Sequence, residues 1–288
     1  MDYLLLACSI LCATLNSVFL HFRKGKDSLA SAFLFNFFCA LVWIVILLPL
    51  CGVPALNGQT LFYGGVYGLA SALFLFFKMQ AMSNGPVAIT TLIGNCSLVV
   101  STAAGVLLWR EKVAPLQVVG VLLLLVALAL CTYQKGATGG TTAKWQFYSF
   151  GFFVLAGAVG IILKLISKAQ PNALNSIVLI SAGFMAVFHL LAYLCCKVKT
   201  GEALHFTKAD YLLAALCGVV GCTYNRLNAF LAGRIESIIF YPLFNGATIL
   251  LSLLFGILLF REKVTKKQAV GFAVGLAALL LAGNVIRL

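Results

Sequence analysis

Acid is what this chain has least of: seven Asp and Glu against 20 Lys and Arg in 288 residues. Charged residues of both signs make up only 9%, where an ordinary globular domain carries about 25%, so a water-facing surface over the whole chain is excluded. Histidine is nearly missing (three), and none stands in a His/Cys cluster. The ten cysteines contain no Cys-x-x-Cys, and Cys8, Cys12, Cys39, Cys96, Cys131 and Cys217 fall inside apolar runs. They read as small hydrophobes, not as metal ligands or a disulfide frame. No nucleophile–base pair and no pair of intramembrane acids is present, which excludes the usual hydrolytic site chemistries. The net charge of +13 does not indicate nucleic acid, because the cations sit in short segments between apolar runs and form no extended basic face. They read as anchors at an anionic membrane surface.

What fills the chain is apolar: 62% hydrophobic residues, with a mean hydropathy of +1.08. Ten spans follow from it, approximately 2–22, 29–50, 60–82, 86–109 and 114–133, then 146–168, 173–196, 210–232, 236–260 and 268–286. Each is close to the ~20 residues a helix needs to cross the hydrocarbon layer, and helices are required because lipid offers no partner to an unpaired backbone group. The first span is not read as a cleaved signal, since Asp2 precedes it and its cations Arg23, Lys24 and Lys26 follow. No soluble domain fits between the spans. The expected class is an all-α integral membrane protein, multi-pass, of the bacterial cytoplasmic membrane.

The chain also repeats itself. Trp109-Arg110-Glu111-Lys112-Val113 returns as Phe260-Arg261-Glu262-Lys263-Val264 at an offset of 151. Upstream, Lys78-Met79-Gln80-Ala81-Met82 aligns with Arg226-Leu227-Asn228-Ala229-Phe230 at an offset of 148. Residues 1–134 and 146–288 are thus read as two five-span repeats, joined by the Gly/Thr-rich linker 135–145. Five is odd, so the second repeat enters the membrane inverted. Five cations (Arg110, Lys112, Lys168, Arg234 and Arg287) then lie on one side and twelve, among them Arg23, Lys135, Lys197 and Arg261, on the other. That bias puts both termini outside the cytoplasm.

Three cations remain inside spans: Lys78, Lys164 and Arg226. A charge at membrane depth costs ~2.5–3.5 kcal/mol on insertion scales, so it faces a cavity, a partner or, by snorkelling, the headgroups. All seven acids fall at span ends or in loops, and no acid within a span can neutralise them. The offset of 148 makes Lys78 and Arg226 equivalent, and an anionic solute group would suit such a set. Neutral polar residues join them at mid-span: Asn16, Asn36, Asn95, Tyr224, Asn225, Asn228, Tyr241 and Asn245. Tyr241 and Asn245 share a helix face, with Pro242 loosening the helix between them. Asn95 lies one residue from the repeat position of Asn245 at the offset of 151. The candidate solute-binding set is therefore Lys78, Arg226, Asn95, Tyr241, Asn245, Asn16, Lys164 and Asn228. The Gly-x-x-x-Gly pairs Gly64/Gly68 and Gly271/Gly275 read as close helix contacts within one chain.

Two five-span repeats with Ala81 to Ala88 entering a long span, then Glu111-Lys112-Val113, Gln117 and Gly120, resemble the drug/metabolite transporter superfamily in its EamA-type branch. The second copy reads Ala229 to Ile238, Glu262-Lys263-Val264, Gln268 and Gly271. The resemblance implies ten helices around a central cavity, transport of small metabolites, amino acids or drugs, and a structural part for the turn glutamates. The related small multidrug exporters carry a glutamate in their first helix; this chain has Asn16 there and no acid, which disfavours proton-coupled export of cations. The expectation is a secondary transporter, not an enzyme, moving a small polar or anionic metabolite by alternating access. Flipping of a lipid or lipid-linked carrier is the alternative. Expected partners are the solute, membrane lipid and a coupling ion, with no cofactor, no metal and no nucleic acid, in a monomer or homodimer.

Overall fold

Runs of Leu, Val, Ala and Phe become helices here because only internal i to i−4 bonding satisfies a backbone surrounded by lipid. The structure, a computed structural model, describes residues 1–22, 28–51, 56–85, 87–131, 142–200, 206–260 and 265–282. The described elements are all helical: α1 (Asp2–His21), α2 (Leu29–Cys51), α3 (Gly58–Asn84), α4 (Val87–Cys96), α5 (Leu98–Trp109) and α6 (Pro115–Cys131). There follow α7 (Ala143–Ala169), a 3-10 turn at Pro171–Ala173, α8 (Leu174–Thr200), α9 (Lys208–Leu231), α10 (Ser237–Phe260) and α11 (Lys266–Ala282). Among the described residues seven helical stretches are long and apolar enough to cross a membrane, the short α4 and α5 counting together as Ile89–Trp109; of the ten expected spans, those at α6, α9 and α11 are not among them. The chain is an all-α, multi-pass membrane protein. Most of the expected linker, and the second Arg-Glu-Lys turn at 261–264, lie outside the described residues.

Polar residues set where the long helices begin. Asn57 caps α3, its Oδ1 accepting from Thr60 N at 2.8 Å, while the Asn57 N–H donates to Thr60 Oγ1 at 3.1 Å. Thr207 and Asp210 form the same reciprocal box at the start of α9. Each box satisfies two donors that a helix N-terminus otherwise leaves bare. The expected single span 86–109 differs from this pattern. It breaks at Ser97, whose N–H reaches back three residues to Gly94 O at 3.2 Å, so that α4 ends and α5 starts beside two polar side chains, Asn95 and Ser97.

The two halves pack against each other more than within themselves. In the main contacts α6 lies on α11, α2 on α8 and α9, α3 on α7 and α8, α1 on α9 and α10, and α5 on α10 and α7. Small residues permit the closest of these approaches. A Cβ on Gly68 of α3 would stand 2.6 Å from Ser181 O and 2.8 Å from Phe184 Cβ of α8. One on Gly271 of α11 would stand 2.9 Å from Cys131 N of α6. Both Gly-x-x-x-Gly pairs thus face helices of the same chain, as expected. Gly68→Val should push α3 off backbone, not off a movable side-chain tip, at a cost of about 1–3 kcal/mol. A lowered unfolding midpoint of the purified protein is the expected reading; an unchanged midpoint would show that the contact is dispensable.

Candidate solute cavity

On α3, Tyr67, Ser71, Phe74 and Lys78 recur at helical spacing and form one face. Three of them, Tyr67, Phe74 and Lys78, line a cavity of about 270 Å³. The α4–α5 break brings Gly94, Asn95, Ser97 and Leu98 to the same space, and α5 adds Ser101. From the second half come Phe152, Val159 and Gly160 of α7, Tyr224, Asn225 and Asn228 of α9, and Phe240, Tyr241, Phe244 and Asn245 of α10. Of the eight residues expected to bind solute, Lys78, Asn95, Asn228, Tyr241 and Asn245 converge here.

Most polar groups of the lining already have partners. Tyr67 OH donates to Asn225 Oδ1 at 3.1 Å, and Asn225 Nδ2 donates to Gly221 O at 3.0 Å. Tyr241 OH donates to Gly160 O at 2.6 Å, Asn245 Nδ2 to Tyr241 O at 3.1 Å, and Ser101 Oγ to Gly157 O at 3.2 Å. Asn228 Oδ1 accepts from Ser9 Oγ at 2.7 Å, tying α9 to α1. These bonds fix the wall. Among the remaining donors, which include Ser97 Oγ and Asn228 Nδ2, two are the most costly to leave bare. The amide nitrogen of Asn95 is buried without a partner among the described residues. Lys78 is half-buried on the cavity, and no acid or acceptor bonds its ammonium among the described residues. A buried amide left unpaired costs about 1–3 kcal/mol, and an ammonium at this depth costs more. Both costs fall when an anion or another acceptor-rich group enters.

Three expectations need correction. Lys164 does not look into the cavity; its ammonium pairs with Glu111 and donates to Ser237 Oγ at 2.7 Å. No acid within a span was available to it, but Glu111 is carried in from the turn. Arg110 adopts a left-handed conformation (φ 53°, ψ 38°) at the end of α5, and the reversal swings the next side chain back among the helices. Glu111 Oε2 then also accepts from Ser237 N at 2.7 Å, capping α10. The carboxylate thus ties α5, α7 and α10 together. The Trp109 ring lies 5.3 Å from the Lys164 ammonium and closes the cluster from one side.

Arg226 is the second correction. It lines a different cavity and is exposed, with Nε donating to Asn175 Oδ1 at 2.9 Å. Its pairing with Lys78 rested on the offset of 148, whereas the capping boxes at Asn57 and Thr207 stand 150 apart, as do the starts of α4 at Val87 and α10 at Ser237. At 150, Lys78 corresponds to Asn228, Phe74 to Tyr224 and Asn95 to Asn245, and all six line the one cavity. Two residues of slip are 200° around a helix, enough to turn Arg226 to the other side. The third is Asn16, half-buried on α1 and not among the residues lining either cavity.

Sequence reasoning missed Tyr67, Ser97, Ser101 and the ring wall of Phe74, Phe152, Phe240 and Phe244. The four-three-four spacing through Tyr67, Ser71, Phe74 and Lys78 was the available signal for α3. Rings are too common in apolar spans to have marked the rest.

No protein-family model matches the chain, and no curated protein matches it. Among solved structures, one described only as the crystal structure of a protein superposes with a TM-score of 0.77. It has 15% sequence identity over 98% of this chain and 99% of its own length, a likeness that shows a shared fold.

Proposed function

We propose that this chain is a secondary transporter of a small polar or anionic metabolite, working by alternating access around the cavity described above. It is a ten-span protein of two inverted five-span repeats, resembling the EamA-type branch of the drug/metabolite transporters, and resides in the bacterial cytoplasmic membrane. One observation carries the reading: helices from both halves enclose a cavity whose lining includes the Lys78 ammonium and the Asn95 amide, neither with a partner among the described residues. The packing supports two related halves. Numbering each half's five spans from its start, the first of one half meets the third of the other, and the second meets the third, in both directions. The second spans meet each other, as do the fourth and the fifth. A twofold relation generates that pattern. The helix break at Ser97 in one half and a proline inside α10, Pro242, in the other support the reading, since solute sites of inverted-repeat carriers are built at interrupted helices. The Glu111–Lys164–Ser237 cluster joins three helices that line the cavity and holds them together at one end, so it has to part for that end to open.

Reconstituted into vesicles, the protein is expected to take up small organic anions from a radiolabelled panel that includes lactate, succinate, benzoate and glycerol phosphate. It should not speed the exchange of fluorescent phospholipids between leaflets. Lipid exchange without uptake of any solute would replace the carrier reading with the flippase one.

A further inference from the structure

On α9, Leu212, Leu216, Val219, Thr223 and Arg226 recur at steps of four, three, four and three, and all five are exposed. Among the described residues α9 is not one of the seven helices long and apolar enough on their own to cross a membrane, but it packs on α1 and α2, which are. In the ten-span reading its exposed stripe, with Leu212 62% and Val219 46% exposed, faces lipid. Arg226 therefore ends a lipid-facing stripe. It stands five residues before the end of α9 at Leu231, about 7 Å in at 1.5 Å per residue. From there a long arginine side chain reaches the headgroup of a phospholipid whose chains run along Val219 and Leu216.

A seat exists at this place. A groove of about 350 Å³ between the ends of α2, α8 and α9 has apolar walls from Ile46, Leu50 and Val178, and carries Asn175 and Arg226. Asn175 takes the Nε proton of Arg226 at 2.9 Å and so fixes the plane of the guanidinium. The remaining N–H groups have no acceptor, and the groove lining holds no acid, among the described residues. A planar fork held in this way matches two oxygens of a phosphate. A free metabolite gains little from walls open to acyl chains; a lipid headgroup with its chains gains from both walls and fork.

We propose that the α2–α8–α9 groove is a binding seat for one anionic phospholipid, with its phosphate on Arg226. The seat is separate from the solute cavity; it rests on the ten-span reading, which puts α9 in the membrane, and not on transport of a solute.

The test is native mass spectrometry of the full-length protein, extracted from vesicles of phosphatidylcholine mixed with phosphatidylglycerol. The wild type should keep one phosphatidylglycerol through detergent washing. Arg226→Gln should lower that occupancy about fivefold, in line with the attraction one cation exerts on anionic lipid. Arg226→Lys should fall between, since lysine keeps the charge but loses the fork and the bond to Asn175. Lys78→Met should retain lipid like the wild type. Equal retention by Arg226→Gln, or equal retention of phosphatidylcholine, overturns the proposal. Displacement of the lipid by millimolar inorganic phosphate also overturns it, in favour of a site for a soluble oxyanion.

Discussion

Glu111→Ala should be among the most damaging single changes in this protein, lowering stability by about 3–5 kcal/mol, the usual cost of removing one partner from a buried ion pair. The carboxylate is 7% exposed and its lysine 1%. Without Glu111, the Lys164 ammonium keeps Ser237 Oγ and the face of Trp109 among the described residues, and Ser237 N at the head of α10 loses its acceptor. Glu111→Gln keeps the shape and one acceptor oxygen but leaves the cation uncompensated, so it should fall only a little short of the alanine. The informative variant is the double one. Glu111→Gln with Lys164→Met removes both charges, and a buried pair replaced whole is often neutral, so most of the lost stability should return. Gly105→Ala offers an approach without touching charge, because its Cβ would stand 2.5 Å from Glu111 Oε2. Unfolding midpoints of the five proteins in one detergent decide the matter. If the double variant is no more stable than Glu111→Ala, the ion pair is not what holds α5, α7 and α10.

This cluster shows which parts of the site a linear reading reaches. The helices were legible because an apolar run of about 20 residues has one stable form in lipid. Asn95, Tyr241 and Asn245 were legible because polar side chains at that depth are costly and usually gathered. Lys164 was misread because its partner lies 53 residues upstream in a turn. A single left-handed residue at Arg110 returns that partner to the helices, and nothing in the hydropathy pattern marks it. Arg226 was misread for a different reason. The pentapeptide match at an offset of 148 put it level with Lys78, but the capping boxes that start α3 and α9 stand 150 apart, and short apolar matches slide easily by two. The Asn-x-x-Thr and Thr-x-x-Asp boxes were present in the sequence and would have given the offset of 150. At that offset the asymmetry of the site appears: where one half has Lys78, the other has Asn228, held by Ser9. Among the described residues that line the cavity, the one cation, Lys78, is thus placed to one side.

Lys78→Met should abolish most transport while leaving the protein folded. Methionine keeps nearly the length and apolar stem of lysine and removes only the charge and its donors. A hydrogen bond to a charged group contributes about 1.5–3 kcal/mol, so solute binding should weaken by about 10- to 100-fold. Folding should not suffer, because Lys78 has no partner to lose among the described residues and the cost of holding its charge inside a span is relieved. Lys78→Arg, which keeps the charge at a longer reach, should retain part of the uptake. Asn95→Leu should weaken binding less than Lys78→Met, since it removes a neutral donor of similar position and also ends the burial of an unpaired amide. Arg226→Gln, outside the cavity, should transport like the wild type. The concentration dependence of uptake separates the possibilities: loss of solute contact raises KM, whereas damage to the helices lowers the maximal rate and the unfolding midpoint together. Full uptake with an unchanged KM in Lys78→Met would remove the lysine from the site. The cavity would then have to select its solute through the Asn95 amide and the wall of Tyr67, Phe240 and Phe244 alone, without a requirement for negative charge.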